Sequence, residues 1–196
     1  VFLSKVANKK VKAVVGAAVN LLAGIPSVVY GLVGMLVLVP GIRILFNLPD
    51  GASLLASIIV LAVMILPSII KMSMTALDAV PREYEEGSLA LGATTTETYF
   101  KVSVPAAKSG IAAAVVLGVG RAIGETMAVI MVAGNQPRLT GSMLKGIRTM
   151  TANIVLEMGY ATGLHREALI ATGVVLFVFI LLINLAFSVL KRRKEA

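Results

Sequence analysis

Four long apolar runs alternate with polar segments along the chain, and each run predicts a helix that crosses a lipid bilayer. The runs cover approximately residues 27–46, 53–70, 110–132 and 168–190. About 20 apolar residues in a helix match the roughly 30 Å hydrocarbon core of a bilayer. The uncharged stretch between Lys12 and Arg43 is too long for one span. A break is expected at Gly24-Ile25-Pro26-Ser27, because proline suits the first turn of a new helix. A shorter helix over residues 11–23 is then expected before the first span.

Two polar segments, residues 71–109 and 133–167, separate the second, third and fourth runs. In the later segment, apolar side chains recur every three or four residues. This spacing predicts an amphipathic helix through Met143, Ile147, Met150, Ile154 and Met158. Two interpretations remain open for its basic residues. These residues are Arg138, Lys145 and Arg148. Either they attract an anion or a delivering protein, or they form an ordinary solvated face.

The composition favours an all-α integral membrane protein. Hydrophobic residues make up 58% of the 196 residues and charged residues only 14%. Cysteine is absent and His165 is the single histidine, so neither a thiolate nor a multi-histidine metal site is expected. The basic residues are not interleaved with aromatic ones, which argues against a nucleic-acid partner. The sequence has no phosphate-binding loop of the G-x-x-x-x-G-K-[ST] type, so we expect no catalytic residues and no cofactor bound by this chain.

The distribution of basic residues predicts the orientation of the spans. With both ends of the chain inside, twelve of the 18 Lys and Arg residues lie in inner segments and five in outer ones. This places the N- and C-termini of the fragment and segment 71–109 in the cytoplasm, and segment 133–167 outside. Four consecutive basic residues, Lys191 to Lys194, stop the last run. The chain opens on Val1 rather than Met, so we expect residues upstream of it.

The segment before the third run carries signals for two short helices. Pro81 suits a helix start, three glutamates that follow it favour the positive end of the helix dipole, and Gly92 suits the C-terminal stop. The glutamates are Glu83, Glu85 and Glu86. Thr94 and Glu97 have capping-box spacing, which predicts a second helix. Such an element buries little by itself, so it either docks on another surface or forms a solvated helical hairpin.

Arg121 and Glu125 are charged residues inside the third apolar run. Insertion of an ionised side chain at this depth of the membrane costs roughly 2.5–3.5 kcal/mol, so a functional or structural role is expected for both residues. Their spacing predicts one face of a continuous helix. They form either an internal ion pair that fixes packing or a polar translocation path. Arginine binds phosphate oxygens through a planar fork of donors, and a carboxylate accepts the proton of hydrogen phosphate, which sulfate lacks. The pair would then favour phosphate over sulfate.

Small residues surround this pair and predict close helix packing. Gly120 and Gly124 form a GxxxG step, and a second face carries Gly110, Ala114 and Gly118. These faces suit packing against another span or another subunit.

The segment Arg82 to Pro105 resembles the EAA loop of ABC importer permeases. The resemblance rests on Glu86, the small residues Gly87 and Ser88, Gly92 six positions after the glutamate, and a closing Val-Ser-Val-Pro that ends at Pro105. The two small residues stand where the family motif has alanines. The resemblance implies a coupling helix that fits a cytoplasmic ATPase, with Glu85, Glu86, Gly87, Ser88, Gly92 and Pro105 as the coupling residues.

The stretch GVGRAIGETMAVIMVAGN, from Gly118 to Asn135, is similar to the PstC-type permeases of phosphate-specific ABC importers. Two further stretches, Leu21–Leu32 and Gly146–Leu169, extend the likeness over nearly the whole chain. The family implies a MetI-like helical bundle in the inner membrane of a prokaryote. It also implies a heterodimer with a second permease, a cytoplasmic ATPase dimer that holds ATP and Mg, and an extracytoplasmic phosphate-binding protein. Membrane lipid and inorganic phosphate are the remaining expected partners.

We therefore predict a permease subunit that imports inorganic phosphate by alternating access, with Arg121 and Glu125 in the path. Three alternatives remain open at this point. In the first, the importer carries another oxyanion or a small organic solute. In the second, the chain belongs to a secondary transporter or channel that works without ATP. In the third, it is a structural scaffold. The scaffold leaves the costly Arg121 unexplained.

Overall fold

The computed structural model describes residues 1–195, with side chains as far as Phe187. Over this range the regular structure is helical, apart from one isolated bridge between Gly134 and Ile147, which confirms the all-α prediction. The basic residues 191–194, expected to stop the last span, lie outside the described side chains. The chain forms two compact units. One comprises Val1–Gly24 and Ile65–Val119, and the other comprises Ile25–Met64 and Gly120–Ala196.

Eleven α-helices are described along residues 1–195, together with three π-helical turns. The turns are Phe2–Val6, Gly34–Leu38 and Tyr99–Ser103. The helices are α1 (Lys9–Gly24), α2 (Ser27–Val33), α3 (Val39–Leu45), α4 (Leu54–Asp78), α5 (Arg82–Ala90), α6 (Thr95–Thr98), α7 (Val104–Ala106), α8 (Lys108–Gly124), α9 (Met127–Val132), α10 (Met150–Glu157) and α11 (Gly163–Glu195).

The break expected near Pro26 is present, because α1 ends at Gly24 and α2 begins at Ser27. Pro26 stands at the N-cap of α2 with an extended ψ of 142°. A proline there gives up no helical hydrogen bond, since the first amide groups of a helix have no acceptor within it.

Helix α4 continues beyond the point where the charge at Lys71 was expected to end it. The predicted span stopped near residue 70, whereas α4 reaches Asp78. Lys71 is exposed, and lysine is a good helix former. The next strong helix-breaking residue after it is Pro81, so a charge alone did not mark the helix end.

Within the described residues, three helical segments are long and apolar enough to cross a membrane. They are Ser27–Leu45, Leu54–Asp78 and Gly163–Phe187. A fourth candidate is a bent pair, Thr95–Ala106 and Lys108–Gly124, whose two parts differ in direction by 66°. The fourth candidate therefore begins and ends earlier than the predicted run over residues 110–132.

The first unit is held together by the close approach of α8 to α4. A Cβ atom on Gly118 would lie 2.6 Å from Ile69, and one on Gly110 would lie 2.5 Å from the Cβ of Ala76. Ala114, between these glycines, is buried. The predicted small-residue face thus packs against α4. A separate buried cluster forms where Leu77, Val80 and Ala107 meet.

The core of the second unit lies between α3, α4 and α9, and Tyr30 of α2 packs against it. Its buried members are Ile42, Ala56, Val60, Ala128 and Val132. Helix α2 approaches α9 so closely that a Cβ atom on Gly31 would lie 2.8 Å from the Cα of Ala128. Glycine is needed at that contact because any side chain would force the two helices apart.

The amphipathic helix expected through residues 143–158 forms only in its second half, as α10. Residues Met143 and Lys145 instead turn their carbonyl oxygens toward the N-terminus of α4. The amide of Leu55 donates to Met143 at 2.8 Å, and that of Leu54 donates to Lys145 at 3.0 Å. These bonds satisfy helix-terminal amides that otherwise lack acceptors, and they are incompatible with a helix over 143–147.

Candidate functional site

The loop Arg82–Pro105 contains the two short helices that the sequence predicts. Helix α5 starts after Pro81 and ends before Gly92, which adopts a left-handed φ of +87°. Helix α6 begins with a complete capping box. The amide of Glu97 donates to Thr94 Oγ1 at 3.3 Å, and the Thr94 amide donates to Glu97 Oε2 at 3.1 Å. Local backbone chemistry therefore determines where both helices begin and where α5 ends.

Two adjacent glutamates of α5 have different environments. Glu85 is half-buried, and its Oε1 lies 2.6 Å from Lys5 Nζ and accepts a hydrogen bond of 2.8 Å from Ser103 Oγ. Burial alone would raise the pKa of Glu85, but the Lys5 hydrogen bond, the Ser103 hydrogen bond and the Lys5 charge lower it below its ordinary value. Glu86 is exposed. Glu85 thus stabilises its own unit, whereas Glu86 is accessible from outside.

Three other predicted coupling residues, Gly87, Ser88 and Pro105, differ in their surroundings. A Cβ atom on Gly87 would meet nothing within 4 Å among the described residues. Ser88 forms a hydrogen bond of 3.0 Å with Thr98, which ties α5 to α6. Pro105 is exposed in α7. Gly87 therefore leaves open space beside α5, where another surface can approach the helix backbone.

Arg121 and Glu125 do not share a continuous helix, contrary to the sequence prediction. Helix α8 ends at Gly124 and α9 begins at Met127, so the break falls at Glu125 and Thr126. Arg121 is exposed and lies in the last turn of α8, where a cation complements the helix dipole. Glu125 is half-buried, and its Oε1 accepts a hydrogen bond of 3.1 Å from the amide of Ala128. Glu125 therefore caps the first turn of α9.

The break is stabilised from both sides by hydrogen bonds. The Glu125 amide donates to the carbonyl of Ala122 at 3.2 Å, which tightens the end of α8. The Glu125 carbonyl accepts a hydrogen bond of 3.3 Å from Thr151 Oγ1 of α10. Helix α9 is itself anchored by the buried residues Ala128, Val129 and Val132. The backbone beside Arg121 is thus held in a non-helical conformation by contacts distant in sequence.

The 133–167 segment is organised by Arg148, whose role the sequence reasoning missed. Its Nε donates to the carbonyl of Asn135 at 2.9 Å, and its Nη1 lies 2.7 Å from Glu157 Oε1. Glu157 also accepts a hydrogen bond from Tyr160, which with the Arg148 hydrogen bond and charge lowers the pKa of Glu157. The composition of the segment could have identified this ion pair. Glu157 is the only carboxylate between Glu125 and Glu167, so it is the natural partner for a basic residue in this segment.

Comparisons with known proteins place this geometry in a family. The family model described as "Binding-protein-dependent transport system inner membrane component" matches residues 1–196. A solved structure of the MetNI methionine ABC transporter, in inward-facing conformations, aligns with a TM-score of 0.74 and 25% identity. The alignment covers 96% of this chain and 77% of that chain. The predicted MetI-like permease fold is confirmed.

Curated relatives include permeases from several bacteria. A probable ABC transporter permease protein, YqgH of Bacillus subtilis, is 45% identical over 99% of this chain and 64% of its own length. Phosphate transport system permease proteins PstC are 37% identical in Mesorhizobium japonicum and 38% in Xylella fastidiosa. The alignments cover 93% and 90% of this chain, and 62% and 60% of those proteins. The chain therefore spans less than two thirds of the length of these relatives.

These matches confirm the resemblance to PstC-type permeases that the Gly118–Asn135 stretch carries. They also agree with the apolar helices of a multi-pass membrane protein. The chain belongs to the family of binding-protein-dependent transport system inner membrane components.

Proposed function

We propose that this chain is one permease subunit of an ATP-driven importer that moves inorganic phosphate into the cytoplasm by alternating access. The observation that carries the proposal is the helix break at Glu125, beside which the exposed Arg121 stands. Relatives named as phosphate transport permeases support the choice of substrate. Broken helices that line a path are a recurring way to present polar groups to a solute at membrane depth.

Arg121 and Glu125 would act on the anion in complementary ways. The guanidinium of Arg121 has a planar fork of donors that fits two oxygens of a phosphate. Of the two carboxylate oxygens of Glu125, Oε1 is engaged by Ala128, and among the described residues Oε2 has no hydrogen-bond partner. Oε2 would accept the proton of hydrogen phosphate. A fully deprotonated sulfate would meet this carboxylate as a repelling charge, so the pair would favour phosphate.

The loop Arg82–Pro105 would transmit closure of a partner ATPase to the helices of this chain. Glu86 and Gly87 would contact the ATPase, because both are exposed. Ser88, Gly92 and Pro105 would maintain the shape of the helical pair that docks. Glu85 would act as a positioning residue, since Lys5 and Ser103 already occupy its carboxylate.

The remaining partners follow from the same proposal. The transporter would contain a second homologous permease, an ATPase dimer that binds ATP and Mg, and an extracytoplasmic phosphate-binding protein. The N- and C-terminal ends of this chain and the loop Arg82–Pro105 would face the cytoplasm, and segment 133–167 would face outward. This chain would bind no cofactor of its own, and ATP hydrolysis would occur on the partner.

The test is phosphate uptake by the assembled transporter in liposomes that contain ATP on the ATPase side. Arg121→Gln is expected to lower uptake at least about tenfold, because a charge-assisted contact to the anion is lost. Glu125→Gln retains an oxygen that can cap α9, so it removes the charge but not the cap. It is expected to bring phosphate and sulfate uptake closer together. Arg166→Gln, an exposed substitution in α11, is the matched control.

Unchanged uptake in both Arg121→Gln and Glu125→Gln would contradict the proposed path, provided that the complex assembles. Selectivity would then have to lie outside this chain. An unchanged ratio of phosphate to sulfate uptake in Glu125→Gln would contradict the proton-acceptor role alone.

A second candidate keeps the importer and changes the solute. The relative YqgH is described as a probable ABC permease without a stated substrate, and the structural neighbour is a methionine transporter. Competition of labelled phosphate uptake by arsenate, sulfate and amino acids separates the candidates. Phosphate import predicts competition by arsenate alone at comparable concentrations, because arsenate shares its charge and protonation.

A further inference from the structure

A cleft of about 300 Å³ opens on the second unit, apart from the helix break. It lies between the loop that follows α9, the start of α10, and α11. Its lining combines two arginines with hydroxyl, amide and apolar groups and includes no carboxylate: Pro137, Arg138, Leu139, Arg148, Thr149, Met150, Asn153 and Thr172. Two guanidinium groups at one cleft repel each other, so an anion bound between them would stabilise the arrangement.

Arg148 is held in place at this cleft by three acceptors. Its Nε and Nη1 donate to Asn135 and Glu157, and Nη1 also reaches Asn153 Oδ1 at 3.4 Å. Only 21% of its side chain is exposed, so these bonds are weakly screened. Among the described residues its Nη2 has no acceptor. Arg148 thus presents a pre-oriented pair of N–H donors whose position does not depend on a ligand.

Arg138 supplies the second set of donors. Its Nε contacts the Gly146 carbonyl at 3.4 Å, and in the described chain neither of its terminal nitrogens has an acceptor. The side-chain amide nitrogen of Asn153 is likewise without an acceptor in that part of the chain. Glu157, paired with Arg148, balances one of the two positive charges. The cleft therefore retains a net positive charge and several unused donors.

We propose that this cleft binds a phosphate group through Arg138 and Arg148. A tetrahedral oxyanion offers several acceptor oxygens, which match two guanidinium forks and the Asn153 amide. The group would come from free inorganic phosphate or from the head group of a phospholipid, since the fully exposed Leu139 and the partly exposed Met150 add an apolar rim. Binding of free inorganic phosphate would add a capture site separate from Arg121. This part of the proposal rests on the proposed function.

The binding site is tested by the protection of arginine side chains from modification by phenylglyoxal. The assembled transporter is kept in a phosphate-free detergent solution without ATP. Modification of Arg138 is followed by mass spectrometry as inorganic phosphate is added. Slowing of at least about fivefold at Arg138, with no slowing at the exposed Arg166, is expected if a specific anion covers the guanidinium. A second arm adds phosphatidylglycerol in place of inorganic phosphate.

A variant arm measures the same contact by equilibrium binding of radiolabelled phosphate to the assembled permeases and ATPase without the phosphate-binding protein. The background is Arg121→Gln, which removes the proposed path contact. Adding Arg138→Gln is expected to weaken the remaining binding about tenfold, whereas adding Arg166→Gln leaves it unchanged. Unfolding temperatures of all variants verify that the fold is intact.

Protection of Arg138 by inorganic phosphate supports the free anion, and protection by phosphatidylglycerol alone supports the lipid head group. Protection by neither, or equal protection of Arg138 and Arg166, overturns the proposal. None of these measurements requires transport. Failure of the cleft is therefore distinct from failure of the proposed import, which is read from uptake by the Arg121 variant.

Discussion

Lys5 and Glu85 form an ion pair in which Nζ and Oε1 are 2.6 Å apart, so the start of the chain is bound to the first helix of the loop Arg82–Pro105. Only 14% and 18% of the two side chains are exposed, and Ser103 donates to the same carboxylate. An ion pair shielded in this way is screened less by water than a surface pair. The N-terminal segment therefore helps to orient α5.

The Lys5–Glu85 pair predicts a pH-dependent loss of stability. The folded pKa of Glu85 is lowered from its ordinary value of 4.5, so its stabilising contribution is complete above that value and is lost as the pH falls below it. We expect Glu85→Gln to lower the unfolding temperature at neutral pH and to reduce the further decrease as the pH falls below 4.5. Thermal unfolding of the assembled transporter at several pH values measures both effects.

Glu83→Gln is the control for this prediction, because Glu83 is an exposed carboxylate in the same helical turn. It is expected to leave the unfolding temperature nearly unchanged. An equal response of Glu83→Gln and Glu85→Gln would mean that the ion pair does not stabilise the unit.

Gly92 and Gly87 are expected to respond in opposite directions to alanine. Gly92 has a φ of +87°, where a Cβ atom is strained, so Gly92→Ala should destabilise the unit by about 1–2 kcal/mol. Gly87 lies inside α5 in open space, so Gly87→Ala should stabilise the helix by up to about 1 kcal/mol. Chemical or thermal unfolding provides the comparison. Destabilisation by Gly87→Ala would show that a surface absent from this chain packs against α5.

Gly118 and Gly120 test which face of α8 is packed within this chain. A Cβ atom on Gly118 would overlap Ile69, so Gly118→Ala should destabilise the protein by about 1–3 kcal/mol. At Gly120 the same atom would meet nothing within 4 Å among the described residues, so Gly120→Ala should not destabilise the isolated subunit. If the second permease covers this face, Gly120→Leu should reduce its co-purification. Undiminished co-purification would assign the interface elsewhere.

Two substitutions of Glu125 distinguish its role as a helix cap from the effect of its charge. Glu125→Gln retains a side-chain oxygen for the Ala128 amide, so stability should change little. Glu125→Ala removes that acceptor and should cost about 1 kcal/mol, as the loss of a helix cap does. Unfolding curves of both variants give the difference. Equal stability of the two would mean that the bond from Ala128 contributes nothing to the helix break.

The elements predicted correctly from sequence are those whose chemistry is local. Thr94 and Glu97 cap α6 because they are three residues apart, and Gly92 ends α5 because it tolerates a positive φ. Pro26 precedes a helix because proline needs no hydrogen-bond acceptor there, and three of the four apolar runs match helical segments of membrane length. The motif around Arg121 pointed to the family, which the comparisons confirmed. Each of these signals lies within one continuous stretch of the sequence.

Contacts between distant residues decided what the periodicity could not. The helix expected through Glu125 breaks there, with Thr151 bound to the Glu125 carbonyl, and residues 143–147 are not helical because their carbonyls cap α4. Glu85 faces inward because Lys5 and Ser103 reach it, although Glu86 beside it has the same charge. The sequence by itself thus determined the apolar helices, their local caps and the family. Only the tertiary structure decided which polar groups are occupied and which remain exposed, because hydrogen-bond partners far apart along the chain meet only after folding.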